Sequence, residues 1–326
     1  YAGYLVRFVP KPGFDPRFFF YFSKSQAFID WLSLSATQST IGNVNGQKYA
    51  NLALPLPAHS EQRAIADFLD QETGKIDALV AKKERLIELL QEKRTALITH
   101  TVTKGLDPTV PMKITQSDFF PETPSTWQPT RVRYLCRKVA DGPHFSPKYV
   151  DDGVMFISAR NVKVDGWSFA DAKYVTEEDY VEFSKRVVPR RGDVLFTKGG
   201  TTGVARVVDF DDRFQVWVHI AVLKVRLDRV NPFFLAYALN GRACYEQSQL
   251  HTRGATNNDL GLTRLINIEL SLPPLEEQVR IVTRLDALTS TIDRLVRRVT
   301  EAIEALHELR ASLISSAVLG KIDVRN

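Results

Sequence analysis

The chain has 326 residues, of which 44% are hydrophobic and 25% charged, a composition that excludes an intrinsically disordered protein. Its formal net charge of +5 is compatible with nucleic-acid binding but does not establish it. Two cysteines give no disulfide framework, which fits a reducing, cytoplasmic compartment. No apolar run approaches the roughly 18 residues that a membrane-spanning helix needs.

The sequence contains one long internal repeat. Residues 15–107 align without a gap on residues 231–323, so that each residue is paired with the one 216 positions later. A period of this length excludes a solenoid, whose repeats run to about 20–50 residues. It indicates a duplicated module, a globular piece followed by a long helix, and so a pseudo-twofold molecule suited to a partner with two similar sites. Identical pairs include Pro16/Pro232, Tyr21/Tyr237, Asp70/Asp286, Thr73/Thr289, Asp77/Asp293, Arg94/Arg310 and Ile98/Ile314.

Residues 1–58 are expected to form the C-terminal part of a first globular domain. At the constant offset, residues 1–9 match residues 217–225, which lie deep inside the second module, and residues 126–216 have no counterpart at the front. We therefore expect the first domain to lack its N-terminal part, so that the chain is a fragment or the product of a truncated or split gene. The predicted elements are a strand at 1–9, a helix from about 16 to 34 and a short strand at 52–56.

Residues 59–107 are predicted to form a first spacer helix. Ser60 and Glu61 supply an N-terminal start with an acidic side chain in the first turn. Apolar residues then recur at a spacing near 3.5 between charged residues, which is typical of a coiled-coil seam. Gly74 predicts a break that leaves a short helix before it. Residues 108–126, with several Pro, Ser and Thr, are predicted to be a linker.

The second module repeats this plan with a longer globular part. Residues 127–274 are predicted to form a strand-rich domain, and residues 275–326 a second spacer helix with a C-terminal tail. Neither long helix can bury its apolar stripe alone, so we expect the two to pack as an antiparallel coiled coil with the globular domains at opposite ends. The expected fold class is α/β (α+β). Predicted elements of the second domain are strands at 154–157, 187–188, 193–196, 204–208 and 219–225 and a helix at 231–248.

Eight short segments carry a family resemblance. They read GDVLFTKGGTTG at 192–203, GATNN at 254–258, LPPLEEQVRIV at 272–282, AVLGKID at 317–323, LPAHSEQRAI at 56–65, TVTKGLD at 101–107, PSTW at 124–127 and DGPHF at 141–145. With the order of domain, helix, domain and helix, they resemble the specificity (S) subunit of type I restriction-modification enzymes. The expected absence of the N-terminal part of the first domain would be the departure from that pattern.

This resemblance implies a DNA reader without catalytic activity. Each globular domain would be a target-recognition domain that reads one half of a bipartite sequence in double-stranded DNA. The helices would be the spacer and the platform for two methyltransferase (M) subunits, which restriction (R) subunits join. No cofactor is expected in this chain, whereas AdoMet, ATP and Mg²⁺ are expected on the partner subunits. Two alternatives stay open: the recognition part of a fused methyltransferase-endonuclease, and a helical scaffold without DNA affinity.

The glycine-rich stretch 198–203 lies between two predicted strands. It lacks the GK[ST] of a phosphate-binding P-loop, so the choice is between a tight hairpin turn and a turn that approaches DNA. The resemblance favours proximity to DNA. The candidate DNA-binding residues in and beside this turn are Lys198, Thr201, Thr202 and Arg206.

Two further groups are candidates for DNA contact. Asn pairs bidentately with adenine and Arg with guanine, although a surface loop that uses Asn for turns is the alternative for residues 253–258. The first group is Arg253, Thr256, Asn257 and Asn258. The second group, in predicted loops, is His144, Lys148, Arg160 and Asn161.

Three other features do not indicate catalysis or metal binding. Asn231 and Pro232 begin a sequence similar to the NPPF motif of adenine methyltransferases, but the second Pro is missing, so we interpret it as a helix N-terminus. Asp193 and Lys198 lack the second carboxylate of a metal nuclease, and the six histidines lack metal-ligand spacing.

The helix starts share a further pair of residues. Glu61 and Gln62 recur as Glu277 and Gln278. A role in the first turn of each helix is the simplest interpretation. Binding of a partner subunit is the alternative for all four residues.

Overall fold

The computed structural model describes residues 6–35, 44–252 and 259–325. The chain forms two compact units, one of Tyr1–Leu89 with Arg294–Asn326 and one of Leu90–Asp293. Each unit therefore contains one part of each long helix, α4 (His59–Lys104) and α10 (Leu275–Val318). Over the three described ranges, no helix is both long enough and apolar enough to span a membrane.

In the first unit, short helices precede α4. Asp15 caps the first of them by accepting a hydrogen bond from the Arg17 N–H at 2.8 Å, as an Asp-Pro helix start predicts. The predicted single helix is wrong, because it divides after Phe22. There the hydroxyls of Ser23 and Ser25 bond to the carbonyls of Phe20 and Phe22, and such bonds compete with the helical pattern. The helices are α1 (Pro16–Phe22), α2 (Gln26–Ser35) and α3 (Gly46–Ala50).

The strand predictions for the first unit are wrong wherever the structure describes the chain. Residues 6–9 and 52–56 are irregular, and residues 1–5 lie outside the described ranges. A strand needs a neighbour to pair its backbone N–H and C=O groups. The described part of this unit offers no other strand, so the apolar alternation alone does not produce one.

The core of the first unit lies between α1 and the two long helices. Phe18 and Phe22 of α1 pack with Leu69 from the first part of α4 and with Ile314 and Val318 from the last part of α10. Further along α4, Asp77 accepts a hydrogen bond from Arg310 at 3.0 Å. A later residue of α4 therefore contacts an earlier residue of α10, so the two helices run antiparallel in this unit, as the apolar seams predict.

Helix α4 is continuous through Gly74, so the predicted break is wrong. A Cβ built at Gly74 meets nothing within 4 Å, and its neighbours Thr73 and Ile76 are buried. A glycine inside a helix costs about 1 kcal/mol relative to alanine. Packing of the apolar face outweighs a cost of this size, because most of the stability of a helix in a protein comes from tertiary contacts.

In its described residues, the second unit has two larger sheets and two strand pairs, β1 with β2 and β3 with β11. Its four-stranded sheet is antiparallel and has the order β4-β10-β7-β8, and a three-stranded sheet has the order β6-β5-β9 with β5 parallel to β9. The strands are β1 (Met112–Ile114), β2 (Glu122–Pro124), β3 (Gln128–Arg131), β4 (Cys136–Asp141), β5 (Val154–Ile157), β6 (Lys173–Val175), β7 (Val194–Thr197), β8 (Ala205–Val207), β9 (Phe214–Val216), β10 (Ile220–Val225) and β11 (Glu269–Leu272).

Four of the five predicted strands of this unit are confirmed, as β5, β7, β8 and β10. Residues 187–188 lie outside any strand, so that prediction is wrong. The predicted linker carries β1 and β2, which pair with each other. The helices of this unit, besides the 3₁₀ helix Ala159–Asn161, are α5 (Val132–Leu135), α6 (Glu177–Ser184), α7 (Pro232–Asn240), α8 (Arg242–His251) and α9 (Leu262–Leu265).

The predicted helix at 231–248 divides at Gly241, which has an extended backbone conformation between α7 and α8. A Cβ at Gly241 would lie 2.9 Å from the side chain of Val102 on α4. The close approach of the spacer helix therefore leaves room only for glycine, and the chain turns there.

Both spacer helices contribute to the core of the second unit. Fully buried Trp127 and Phe234, whose ring centroids lie 6.4 Å apart, belong to the same cluster as Val102 of α4 and as Ile281 and Leu285 of α10. Arg94 and Asp293 form an ion pair at 3.1 Å beside it. This pair is the counterpart in the repeat of Arg310 and Asp77, so the helices are antiparallel here as well.

Candidate nucleic-acid interface

Several strands of the second unit begin or end at one common edge. Strands β4 and β7 end there, and β10 and β8 begin there. The ends of β5 and β9 join them, because the Trp217 N–H donates to the Ile157 carbonyl at 2.9 Å. We call the segments at this edge the strand-end rim, which comprises residues 141–149, 158–168, 198–204, 217–219 and 259. Loops on a rigid sheet edge are where binding residues concentrate.

The glycine-rich stretch is a hairpin turn within the rim, because it connects antiparallel β7 and β8. The Gly203 N–H donates to the Thr197 carbonyl at 2.9 Å. Gly203 has a φ of +105°, a conformation that favours glycine. Gly199 lies so close to His219 that a Cβ would stand 2.2 Å from its ring nitrogen. The glycines thus allow a tight turn against the neighbouring loop.

Lys198 lies inside the rim. Its side chain is only 3% exposed, and its ammonium pairs with Asp259 at 2.8 Å and Asp141 at 3.3 Å. Burial alone would raise the pKa of Asp259, but hydrogen bonds from Lys198 and the Gly261 N–H outweigh burial and lower that pKa. Arg186 in turn donates to Asp141 at 3.0 Å. The result is a series of alternating charges from Arg186 through Asp141 and Lys198 to Asp259.

This arrangement assigns Lys198 a structural task. Its charge is compensated by two carboxylates, and its backbone N–H and C=O bond to His219 and Leu260 at 2.8 Å each. Lys198 therefore joins the glycine-rich turn, the turn before β10 and the segment that begins at Asp259. Contact between Lys198 and DNA stays a prediction, and the burial of the side chain does not support it.

The other candidates of this turn differ in exposure. Thr201 is exposed and Thr202 is buried. Arg206 lies on β8 with its guanidinium 5.2 Å from the ring centroid of Trp167, and it also donates to the Val164 carbonyl at 3.3 Å. Thr201 is thus the candidate of this group that a nucleic acid could reach without a rearrangement.

Of the four candidates predicted in loops, Arg160 and Asn161 lie in the 3₁₀ helix Ala159–Asn161, so that part of the prediction is wrong. The four also differ in exposure. His144, Lys148 and Arg160 are exposed, and His144 lies 3.2 Å from the Arg186 guanidinium. Asn161 is buried, because its side chain accepts from the Ser158 N–H and donates to the Ser168 carbonyl, each at 2.8 Å. The remaining candidates, outside the described residues, are Arg253, Thr256, Asn257 and Asn258.

The predictions from sequence missed a basic surface outside the strand-end rim. Six basic side chains line a cavity of about 420 Å³ beside β4. Four basic residues among the seven at 185–191 are the signal that could have revealed it. We call this the basic cleft; its basic residues are Arg137, Lys138, Arg186, Arg190, Arg191 and Lys224.

The repeated glutamines hold each helix start to its globular part. In the second unit, fully buried Gln278 accepts from the Asn231 N–H at 2.7 Å and donates to the Pro273 carbonyl at 2.8 Å. In the first unit, Gln62 makes the same two bonds to Asp15 and Pro57, at 3.0 and 2.9 Å. The interpretation as first-turn residues accounts for these contacts.

Binding of a partner stays a prediction for these helix starts. Buried Gln62 and Gln278 could act on a partner only through the helix starts that they hold. Glu61 is exposed and Glu277 is half-buried, so the two glutamates can be reached from outside.

Asn231 is a helix cap. Its side chain accepts hydrogen bonds from the Phe233 and Phe234 N–H groups at 2.9 and 3.4 Å. The interpretation of this motif as a helix N-terminus is confirmed. Across residues 6–35, 44–252 and 259–325, no group of three or more His, Cys, Asp or Glu side chains has an arrangement that could hold a metal ion.

The chain is similar in sequence to specificity subunits of type I restriction enzymes. The chain is 22% identical to the type I restriction enzyme EcoBI specificity subunit of Escherichia coli, over 96% of this chain and 67% of that relative. It is 23% identical to the MjaVIII specificity subunit of Methanocaldococcus jannaschii, over 90% of this chain and 67% of that relative. The chain thus spans about two thirds of the length of these relatives.

Two solved structures have a similar fold. The HsdS subunit from Thermoanaerobacter tengcongensis matches with a TM-score of 0.50 and 21% identity, over 95% of this chain and 71% of that one. A chain from a study of complex assembly and conformational transition of the type I R-M system matches with a TM-score of 0.66 and 23% identity, over 95% of this chain and 72% of that one.

A family model agrees with these likenesses. The model described as the type I restriction modification DNA specificity domain matches residues 2–89 and 124–305, which is most of the chain. The chain therefore belongs to the family of type I restriction-modification DNA specificity domains.

Proposed function

We propose that this chain is the DNA sequence-specificity subunit of a type I restriction-modification complex and that it is not itself catalytic. The observation that carries the proposal is the duplicated module, in which a recognition domain is held to the start of a spacer helix by the same buried glutamine. Membership of the specificity-domain family supports it. A duplicated module suits a target of two half-sites with a fixed gap, since spacing between two readers becomes spacing on DNA.

The strand-end rim is the proposed reading surface of the second domain. Exposed Thr201 and Lys148 lie there on loops and exposed Arg160 on the 3₁₀ helix Ala159–Asn161. Base edges are read by polar side chains of this kind, whereas backbone amides and basic residues set the register. The buried charges beneath the rim would keep these loops in one arrangement, which is what discrimination between bases requires.

The spacer helices are the proposed platform for methyltransferase subunits. Leu79, Leu86 and Leu89 of α4 are exposed in the first unit, and Leu275 and Val279 of α10 are exposed in the second. A contiguous patch of exposed apolar residues marks a protein-binding surface, and we propose these residues as contacts in such a patch. We propose two such subunits, one for each repeat, with restriction subunits joining them. AdoMet, ATP and Mg²⁺ would then be bound by the partners.

The proposed compartment is the cytoplasm. Both cysteines are buried free thiols, as a reducing environment allows. Burial raises the pKa of Cys136 and of Cys244 to about 12, so neither thiol ionises at neutral pH and neither is a nucleophile.

Binding of DNA by the assembled complex tests the proposal. The full chain would be purified together with its methyltransferase subunits and titrated onto duplex DNA at several salt concentrations. We expect affinity to fall steeply between about 50 and 200 mM salt, because phosphate contacts release counterions. A complex that assembles but has no salt-dependent affinity for DNA would support the scaffold alternative instead.

A further inference from the structure

The basic cleft concentrates charge. Its lining contains six basic side chains and one acidic side chain, Asp193, whereas the whole chain has a formal net charge of only +5. Asp193 is already paired with Lys224. A cleft lined by one sign of charge attracts ligands of the opposite sign, so this surface fits an anion.

The fold brings these side chains together from three segments. Residues 185–191 run beside the outer strand β4, because Lys138 of β4 donates to the Arg186 carbonyl at 2.5 Å. Lys224 of β10 donates to the Val188 carbonyl at 2.6 Å. Basic side chains from two strands and one connecting segment therefore face a single cleft. Protection of an edge strand from pairing would account for Lys138, but Arg190 and Arg191 lie outside any strand.

Within the described ranges, two arginines of the cleft have side chains without an internal ionic partner. Arg186 pairs with Asp141 and Arg191 with Asp211. Arg137 and Arg190 are exposed, and neither side chain forms an ion pair with a residue of the described ranges. An arginine presents a planar set of N–H donors that matches phosphate oxygens. These two guanidiniums are the groups that a phosphate could reach first.

We propose that the basic cleft binds phosphate groups of the DNA backbone without regard to base sequence, at a surface separate from the strand-end rim. This inference rests on the proposed function, because it assumes that the second unit contacts DNA. Arg186 lines the cleft and also bonds to Asp141 of the rim, so the two surfaces adjoin. One duplex could then lie on the cleft through its backbone while the rim meets its base edges. Such backbone contacts fix register, whereas base contacts fix sequence.

The test uses the double variant Arg137→Gln/Arg190→Gln of the full chain, purified with its methyltransferase subunits. Affinity is measured against salt for a duplex that contains the target motif, identified by mapping methyladenine in cells with and without the gene, and for a duplex without that motif. We expect the slope of log K against log salt to become shallower by about 0.9 for each lost phosphate contact. The change should be the same for both duplexes, so the ratio of their affinities stays as in the unchanged protein.

A matched control removes two charges elsewhere in the same unit. Arg131→Gln with Arg213→Gln changes the net charge equally, and both residues are exposed and paired outside the cleft, with Glu269 and Glu177. This control should leave the slope near that of the unchanged protein. Thermal unfolding of both double variants establishes that they fold, and Arg190→Gln alone gives a milder variant with the same expected direction.

Three results would overturn the cleft assignment. The slope could be unchanged in Arg137→Gln/Arg190→Gln, or the control pair could lower it as much, which would indicate a general charge effect. The cleft variant could instead alter the ratio between the duplexes at constant slope, which would indicate base contact. By contrast, if the complex that contains the chain without substitutions shows no salt-dependent DNA binding, the proposed function itself is refuted.

Discussion

The ammonium of Lys198 lies 2.8 Å from the carboxylate of Asp259, with only 3% of the lysine side chain exposed. Asp141 approaches the same ammonium from the other side, at 3.3 Å, and is equally buried. Removal of one member of a buried, paired set leaves the others uncompensated. The relationship therefore predicts a loss of stability where a surface DNA contact would predict none.

Replacement of Lys198→Met is expected to lower the free energy of unfolding by about 1–3 kcal/mol, because Asp141 and Asp259 lose the buried ammonium between them while Asp141 keeps its bond from Arg186. Urea unfolding of the full chain measures the change. The double variant Lys198→Met/Asp259→Asn should recover part of the loss, since it also removes one of the unpaired charges. Stability equal to that of the unchanged protein, with a shallower salt slope for DNA binding, would mean that Lys198 contacts phosphate after all.

Acid should weaken the unchanged protein more than Asp259→Asn. The pKa of Asp259 in the folded chain lies below its usual value of 3.8, so its charge adds stability above the unfolded pKa, and this contribution is lost as pH falls through the folded pKa. Unfolding free energies measured from pH 7 downward should therefore converge for the two proteins in the acid range below about pH 4. A constant difference at all pH values would contradict this.

The ion pair of Arg94 and Asp293 is expected to help fix the register of the two helices in the second unit. The side chain of Arg94 is 14% exposed and that of Asp293 33%, so the pair is only partly screened. A double-mutant cycle with Arg94→Met and Asp293→Asn should give a coupling energy of about 0.5–1 kcal/mol. The repeat offers the control, because Arg310 and Asp77 are more exposed and should couple less. Equal coupling energies at both sites would show that burial does not determine the coupling energy.

Gly74→Ala is expected to stabilise the chain by about 0.5–1 kcal/mol. The position is helical and exposed, and a Cβ there meets no atom within 4 Å. Ala78→Gly, also exposed on α4, is the matched reverse change and should destabilise by a similar amount. Destabilisation by Gly74→Ala would mean that the helix is not continuous at this point.

Local signals in the sequence predicted what depends on neighbours along the chain. The helix starts at Asp15 and Asn231, the position of the glycine-rich turn at 198–203 and the two long apolar seams all follow from patterns within a few residues. Helix breaks were harder to predict from the sequence. Gly241 marks a turn only because it closely approaches Val102, whereas Gly74 has no such neighbour. The same residue type therefore has opposite effects in two tertiary settings.

The candidate site was harder to predict than the fold. Exposure of Lys198 depends on two carboxylates, Asp141 and Asp259, that are distant from it in the sequence. The basic cleft likewise joins β4, residues 185–191 and β10, and only the pairing of strands brings those segments together. Spacing along the chain carries no record of such contacts, which is why the glycine-rich turn was located correctly while its lysine was assigned to the surface.

A genome-wide map of methyladenine in the source cell, with and without this gene, tests the central claim most directly. The account predicts that one motif is lost with the gene, consisting of two short half-sites separated by a fixed gap. Loss of a symmetric or single-half motif would assign the reading to one recognition domain instead. An unchanged map in a cell that expresses the chain would contradict its role as a specificity subunit.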